Sequence, residues 1–458
     1  MATRDSIEPA SGIPEPSRRD VNKVVVASVI GTTIEWYDFF LFGTAAALVF
    51  NQLFFPESDP LVGTMLAFSS YALGFIARPL GGVFFGHFGD RIGRKSMLVT
   101  TLLLMGVATF LIGLLPTYAQ FGFGAALLLT LLRLVQGFAL GGEWGGAVLM
   151  AAEYGKSGRR GLRASWPQAG VPIGMLLSTA VMSVVTAVTT QEQFLAWGWR
   201  IPFLLSIVLV VIGLWVRVTI AESPVFQAAQ ERAARAATEA PPAPPVMEIL
   251  RRYRREVLIA MGARVAENVS YYAFTAFVLV YITETLGMSR QIGLNALLIA
   301  AAVHLVVIPI WSHLSDRFGR RPLYLLGALG VGVWGFVFFW LLDMKTTGLV
   351  TVAIAGGLVF HAAMYGPQAA FFSELFGTTV RYTGASIGYQ LASIVAGSVA
   401  PLIATWLLSS YQSSVPISLY LVVCAAVTIV AVALARETSK VDLTELDVPG
   451  GPLTSVRS

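Results

Sequence analysis

Several stretches of this 458-residue chain contain no Asp, Glu, Lys or Arg: Ser96–Leu132, Ala164–Gln191, Gln291–Ser315, Pro322–Leu342, Thr346–Ser373 and Tyr382–Ala435. About 20 apolar residues cross the ~30 Å of bilayer hydrocarbon as a helix, so each is long enough to span a membrane. The first and last are too long for one crossing, and polar or proline-bearing turns near 116–120 and 409–416 divide them. Adding the runs that carry a few charges gives twelve spans, near 24–50, 61–86, 96–116, 121–150, 164–188, 199–220, 257–284, 291–314, 322–343, 348–372, 384–409 and 415–436. Composition agrees: 56% of residues are hydrophobic and 12% charged, about half the ~25% charge of a soluble domain. Soluble, disordered, collagen-like and coiled-coil folds are excluded. The lone Cys424 lies in an apolar run, reads as helix packing and excludes a disulfide scaffold. The expected fold is an all-α integral membrane protein.

Outside the spans, every Lys and Arg except Arg290 and Lys345 falls on one side. The positive-inside rule makes that side, with both termini, cytoplasmic, in a cell (inner or plasma) membrane. The net charge of +5 is a product of this topology and gives no reason to expect a nucleic-acid partner. Residues 1–23 carry dispersed charge and no apolar core, so they read as a tail and not as a cleaved signal. The one long polar connector, 221–256, contains the proline break 241–245 and the basic cluster Arg251, Arg252, Arg254 and Arg255, which suits a tether resting on anionic lipid. The expected organisation is a tail (1–23), a six-helix bundle (24–220), a linker (221–256), a second bundle (257–436) and a second tail (437–458).

The two halves repeat each other. Gly86-His-Phe-Gly-Asp90-Arg91-Ile-Gly93-Arg94-Lys95 follows span 2, and Ser312-His-Leu-Ser-Asp316-Arg317-Phe-Gly-Arg320-Arg321 follows span 8. Glu153, Arg160, Ala164 and Ser165 after span 4 match Glu374, Arg381, Ala385 and Ser386 after span 10. A duplicated six-helix unit is how rocking-bundle carriers are built. In these residues the chain resembles the major facilitator superfamily over nearly its whole length. The G-x-x-x-D-R-x-G-R-K signature is complete at Gly86–Lys95, while Ser312 replaces the first Gly of the second copy, which relaxes helix packing there. Arg133-Leu-Val-Gln136-Gly137 resembles the superfamily's R-x-x-Q-G motif, associated with proton coupling, and Ala221-Glu222-Ser223-Pro224 resembles the P-E-S-P element of sugar-porter-like members, with Ala in place of the first Pro. Gly31–Phe40 (GTTIEWYDFF) and Gly141–Gly146 (GGEWGG) resemble metabolite:proton symporters, which carry dicarboxylates, citrate, shikimate and osmolytes.

A charge in hydrocarbon costs at least ~2.5–3.5 kcal/mol, so those retained face a cavity or a partner. Glu35 and Asp38 lie three residues apart, on one face of span 1 near midplane, and Arg133 lies at comparable depth in span 4. An acid beside an arginine in a low dielectric switches between ionised and protonated forms when its partner moves or water enters. Asp38 is the expected proton-carrying acid, Arg133 its modulating cation and Glu35 a secondary acid or ligand. The competing reading is a structural Asp–Arg pair. Arg78 either binds a substrate carboxylate or anchors the end of span 2. Glu143 is either functional or structural, among glycines at 137, 141 and 145 whose spacing allows close helix approach. Arg264 and Glu267, three apart, either satisfy one another or bind substrate, and Asn268, Tyr271, Tyr272, Tyr389 and Gln390 are candidate cavity-lining groups. His304 and His361 stand alone in apolar spans and read as satisfied core histidines, and no metal site is expected.

The resemblance implies a gating role for the signature loops: Gly86, Asp90, Arg91, Gly93, Arg94 and Glu153 in one half, Asp316, Arg317, Arg320 and Glu374 in the other. Exposed ion pairs contribute only ~0–1 kcal/mol, which suits a latch that must open. The expected function is proton-coupled import of a small polar metabolite, a carboxylate-bearing organic acid, by alternating access. The chain is expected to work as a monomer in the lipid bilayer, with the proton as coupling ion and no cofactor. The alternative is an osmolyte (proline or betaine) symporter, and from a different class a transport-derived receptor or sensor. No nucleophile elbow, phosphate loop or His/Cys cluster points to an enzyme.

Overall fold

The computed structural model describes residues 18–92, 94–141, 160–219, 251–376 and 381–440. They form twelve membrane helices. In the first half these are α1 (Arg18–Ala45, prolonged through a π-turn to Phe54), α2 (Pro60–Ile92), α3 (Arg94–Leu114), α4 (Phe123–Leu140), α5 (Arg160–Val188) and α6 (Arg200–Thr219). The second half holds α7 (Arg254–Tyr272, prolonged through two π-turns to Thr285), α8 (Arg290–Phe318), α9 (Arg320–Asp343), α10 (Thr347–Leu375), α11 (Arg381–Tyr411, with a π-turn at Ser393–Ser398) and α12 (Val415–Leu434). Ten of them contain a single apolar span. The eleventh crossing, α6, is joined to a short preceding helix at a 43° bend, and α3 has a shorter apolar stretch, Val99–Leu114.

Local chemistry sets the ends. Asp59 accepts the Leu61 N–H just before Pro60 opens α2, and Ser289 does the same for Gln291 at the start of α8. Thr190 and Gln193 form a reciprocal capping box ahead of α6. Gly319, at φ 99°, makes the tight turn between α8 and α9. Pro79, Pro167, Pro172, Pro309 and Pro367 sit inside helices. A membrane helix tolerates this where neighbours serve the freed backbone groups; just before Pro367, Gln168 of α5 gives the carbonyls of Tyr365 and Gly366 an additional donor.

Helices α1 and α7 are innermost, with 89% and 94% of their spans buried, against 39% for α12. Large apolar side chains on the outer helices, such as Trp215, Val333 and Val423, remain exposed for lipid to cover. Within the first half α2 and α4 touch backbone to backbone. A Cβ on Gly137 would lie 1.8 Å from the Gly74 carbonyl oxygen, and one on Gly141 would lie 1.8 Å from that of Arg78. The small-residue spacing in span 4 thus does pack helices closely, and it brings Arg133 of α4 beside α2. In α8 the space for Ser312 is supplied from across the contact: a Cβ on Gly366 of α10 would meet the Ser312 Oγ at 2.8 Å. Ser312 itself is fully buried and donates to the Ile308 carbonyl, so the close contact expected to relax is retained through a glycine on the partner helix.

Gly137→Ala is expected to force α2 and α4 apart and cost about 1–3 kcal/mol, the usual range for overpacking. Thermal unfolding in detergent checks this, with Gly348→Ala, which meets nothing within 4 Å, melting no lower than the unmodified protein.

Candidate functional site

The first polar centre lies inside the first half. Glu35, Asp38, Phe39, Gly74, Arg78, Arg133, Gln136 and Gly137 line a cavity of about 10 Å³, room for roughly one water molecule. Asp38 is 1% exposed, and among the described residues no donor meets its carboxylate oxygens in good hydrogen-bond geometry, the Thr109 hydroxyl being the polar neighbour that acts on it. Arg133 donates from Nη1 to Gln136 (3.1 Å), which donates to the Thr109 hydroxyl (2.6 Å), which donates to the Met105 carbonyl. Its guanidinium carbon lies 4.5–4.9 Å from the ring centres of Phe42, Tyr71 and Phe39. Arg78 is sandwiched in the same manner, 4.2 Å from Phe75 and 4.9 Å from Phe39, with Nε and Nη2 unbonded. Glu35, Asp38 and Arg133, which the sequence places at similar depth, share one chamber with Arg78, but Asp38 and Arg133 are not a bonded pair.

The second centre lies inside the second half and is densely bonded. Arg264 pairs with Glu267 at 3.2 Å, donates to the Gln368 side-chain Oε1 (2.9 Å) and to the Ser393 hydroxyl (3.2 Å), and lies over the Tyr389 ring. Glu267 also receives Gln368 and contacts His361, which contacts His304. The histidines thus do not stand alone. His361, from α10, bridges α7 to α8, and no spacing within a single helix could reveal this. Gln368 also donates to Tyr324, which donates to the Ala263 carbonyl.

Aromatic rings meet where the two centres face each other. Tyr272 enters between Phe39, Tyr71 and Phe75, with ring centres 5.9–6.1 Å apart, and Tyr271 lies 5.7 Å from Phe40. Both tyrosines precede the π-turn Ala273–Phe277, a helix irregularity common at functional sites. Asn268 and Gln390 each keep one buried polar atom unbonded, Nδ2 and Oε1.

On the signature-loop face Asp316 of α8 accepts the backbone N–H groups of Gly161 and Leu162 (2.9 and 3.0 Å) at the start of α5. A carboxylate there satisfies orphan donors and complements the helix dipole. Arg320 ties Asp316 (2.9 Å) to Glu374 (3.2 Å), and Thr438 donates to Glu374 at 2.7 Å, so these pairs are buried between helices and not exposed as their motif position suggested. Arg317 is exposed, with its guanidinium carbon 5.6 Å from the Phe318 ring centre, and among the described residues it takes no part in this cluster. Glu143, Glu153 and Gly93 lie outside the described residues, as do the side chains at Gly86, Asp90, Arg91 and Arg94. On the opposite face a vestibule of about 410 Å³ lies between the halves, lined by Gln52, Gln191, Glu284 and Arg290 among others. Nearby Gln291 donates to Ser183, Ser183 donates to Asn295, and Arg290 donates to Gln191. The halves are bridged at both faces, and the cavity around Asp38 within the first half is too small for a metabolite.

These features define a two-bundle membrane carrier. Residues 23–448 match the sugar (and other) transporter family. The chain belongs to this family, within the major facilitator superfamily, whose members are transporters and not enzymes. It is 40% identical to the shikimate transporter of Escherichia coli K12 over 96% of this chain and 99% of that protein. It is 42% identical to the inner membrane metabolite transport protein YhjE of the same strain, over 91% and 94%. Proline/betaine transporters of Escherichia coli are 33% identical, over 92% of this chain and 84% of theirs. The proton:xylose symporter XylE bound to 6-bromo-6-deoxy-D-glucose shares the fold, with TM-score 0.71 and 18% identity over 93% of this chain and 98% of that one.

Glu437, just beyond α12, caps α9. Partial burial works against its charge, but the backbone N–H groups of Arg320, Ser439 and Arg321 outweigh this and hold the carboxyl below its usual range. A depressed folded value gives stability that is present above the unfolded value, about 4.3, and lost as pH falls through the folded one. The melting temperature of the unmodified protein should therefore fall on acidification through that window. Glu437→Gln should melt lower at neutral pH and show a smaller acid-induced drop.

Proposed function

We propose that this chain imports a small carboxylate-bearing metabolite together with protons by alternating access. The observation that carries the reading is the chamber of Asp38, Arg78 and Arg133. There a fully buried carboxylate and two buried guanidinium groups leave bonding positions unused. A structural ion pair would close on itself, because an uncompensated buried charge is costly. Groups held apart by aromatic rings are instead available to a proton and to a substrate. Asp38 takes the proton, Arg133 tunes it across the shared cavity, and Glu35 acts as a second acid. Arg78 receives the substrate carboxylate on its free edge, since a guanidinium fork matches a carboxylate. The relatives named for shikimate and for proline and betaine both carry carboxylate-bearing compounds, and the family supports the carrier class. The aromatic lining of Phe39, Tyr71, Phe75 and Tyr272 would also suit a quaternary ammonium, which keeps betaine as the second reading.

The bundles 24–220 and 257–436 rock about the centre, with 221–256 as their tether. Asp316, Arg320 and Glu374 act as the latch on the signature-loop face, and the charge asymmetry makes that face, and both termini, cytoplasmic in the inner membrane. A monomer suffices, because the chamber is built within one chain.

Thermal-shift measurements with shikimate, citrate, betaine, proline and sugars identify the ligand, since a molecule that binds the folded state raises the melting temperature. Arg78→Gln should weaken a carboxylate ligand by roughly 30-fold, about 2 kcal/mol for a truncated buried charge pair. Asp38→Asn should abolish substrate-driven alkalinisation of the medium while the protein remains inserted. Undiminished proton flux in that variant would overturn the assignment of Asp38.

A further inference from the structure

The second bundle contains a line of titratable groups that the chamber around Asp38 does not use. His304 Nε2 lies 3.0 Å from His361 Nδ1, His361 Nε2 lies 3.1 Å from Glu267 Oε1, and Glu267 Oε2 lies 3.2 Å from Arg264 Nη1. Donor logic fixes the protons along it. A carboxylate paired with Arg264 only accepts, so His361 donates from Nε2. The Nδ1 of neutral His361 then accepts, so His304 donates from its own Nε2. The line ends at His304 Nδ1, a lone pair that is buried and has no hydrogen-bond partner among the described residues. The charged and titratable groups around it are Arg264, Glu267, Tyr271 and Tyr272 on α7, Tyr324 on α9, Tyr365 on α10 and Tyr389 on α11. Helix α5, which packs along α8 from the first bundle, carries Arg160 and Arg163 in its first turn and no titratable side chain after them. The groups run in line and do not converge, and no set of three among the described residues could hold a metal ion.

We propose that His304, His361 and Glu267 form a proton wire that neutralises Glu267 and releases Arg264 to bind an anionic group. A proton bonds to His304 Nδ1. The Nε2 proton of His304 passes to His361 Nδ1, and the Nε2 proton of His361 passes to Glu267 Oε1. Both rings end neutral with their protons on Nδ1, Glu267 ends as the acid, and the site has gained one positive charge, carried by an unpaired Arg264. Deprotonation reverses the steps. Separation of α5 from α8 as the bundles rock gives the open end its water. The proposal rests on the symport reading for the proton gradient that drives it, but its own test needs no transport.

Full-length protein in liposomes, labelled with 15N-histidine, should show His304 and His361 as Nε2–H tautomers at high pH, switching together to Nδ1–H on acidification. In the same pH window, infrared difference spectra should gain a carboxylic-acid band that is absent in Glu267→Gln and retained in Asp38→Asn. After a pH jump the band should rise about a hundredfold more slowly in His304→Gln, which keeps a donor to His361 but cannot relay a proton, in line with the usual contribution of a positioned proton-transfer group. Equal rates in His304→Gln and the unmodified protein would overturn the wire. So would Nδ1–H on His304 at high pH, a measurement that needs no substitution. Failure of Asp38→Asn to stop proton flux, with the tautomer switch intact, would instead count against the proposed function alone.

Discussion

An ion in hydrocarbon is tolerated only when something holds it, and the two bundles meet this constraint in opposite ways. The second bundle answers with bonds: Arg264 and Glu267 are each held by the other and by Gln368, with Ser393, Tyr389 and His361 completing the shell. The first bundle answers with rings: Arg78 and Arg133 rest on Phe39, Phe42, Tyr71 and Phe75, whose faces attract a cation without consuming its donors. A network of the first kind fixes each ion through specific, mutually oriented bonds. A cation held by ring faces keeps its directional bonding capacity in reserve.

That difference depends on backbone packing. Arg133 enters the chamber because α4 lies against α2 at Gly74 and Gly137, where no Cβ intervenes. Gly74 does double service, since a side chain there would also meet the Arg133 Nε at 2.8 Å. The chemistry of the first bundle therefore begins with the absence of side chains on two facing helices. On the signature-loop face the same logic recurs at Gly161, where a Cβ would stand 2.5 Å from the Arg320 guanidinium.

Much of this was legible in the sequence, and the boundary between what was and was not has a physical basis. Twelve apolar runs show twelve helices because hydrocarbon thickness dictates length. Glu35 with Asp38, and Arg264 with Glu267, were legible because a three-residue spacing places groups on one helix face. The His304–His361–Glu267 contact was not, because it joins three helices through residues 57 and 94 positions apart. Motif position grouped Arg317 with Arg320, but one faces outward and the other is buried. Only the helix phase separates them. The glycine that accommodates Ser312 sits on another helix, so a substitution within the motif looked like loosened packing when it was compensated across the contact. The polar connector's role also lies beyond the described residues, which resume at 251.

The aromatic contact at the centre has a mechanical consequence. At both faces, and in the interior at Gln168 and Tyr271, the halves meet through directional hydrogen bonds, whereas Tyr272 meets Phe39, Tyr71 and Phe75 through ring edges and faces. Such surfaces slide without stranding a donor or an acceptor, and their attraction varies gently with angle. The molecule has latches at its rims and a greased bearing at its axle.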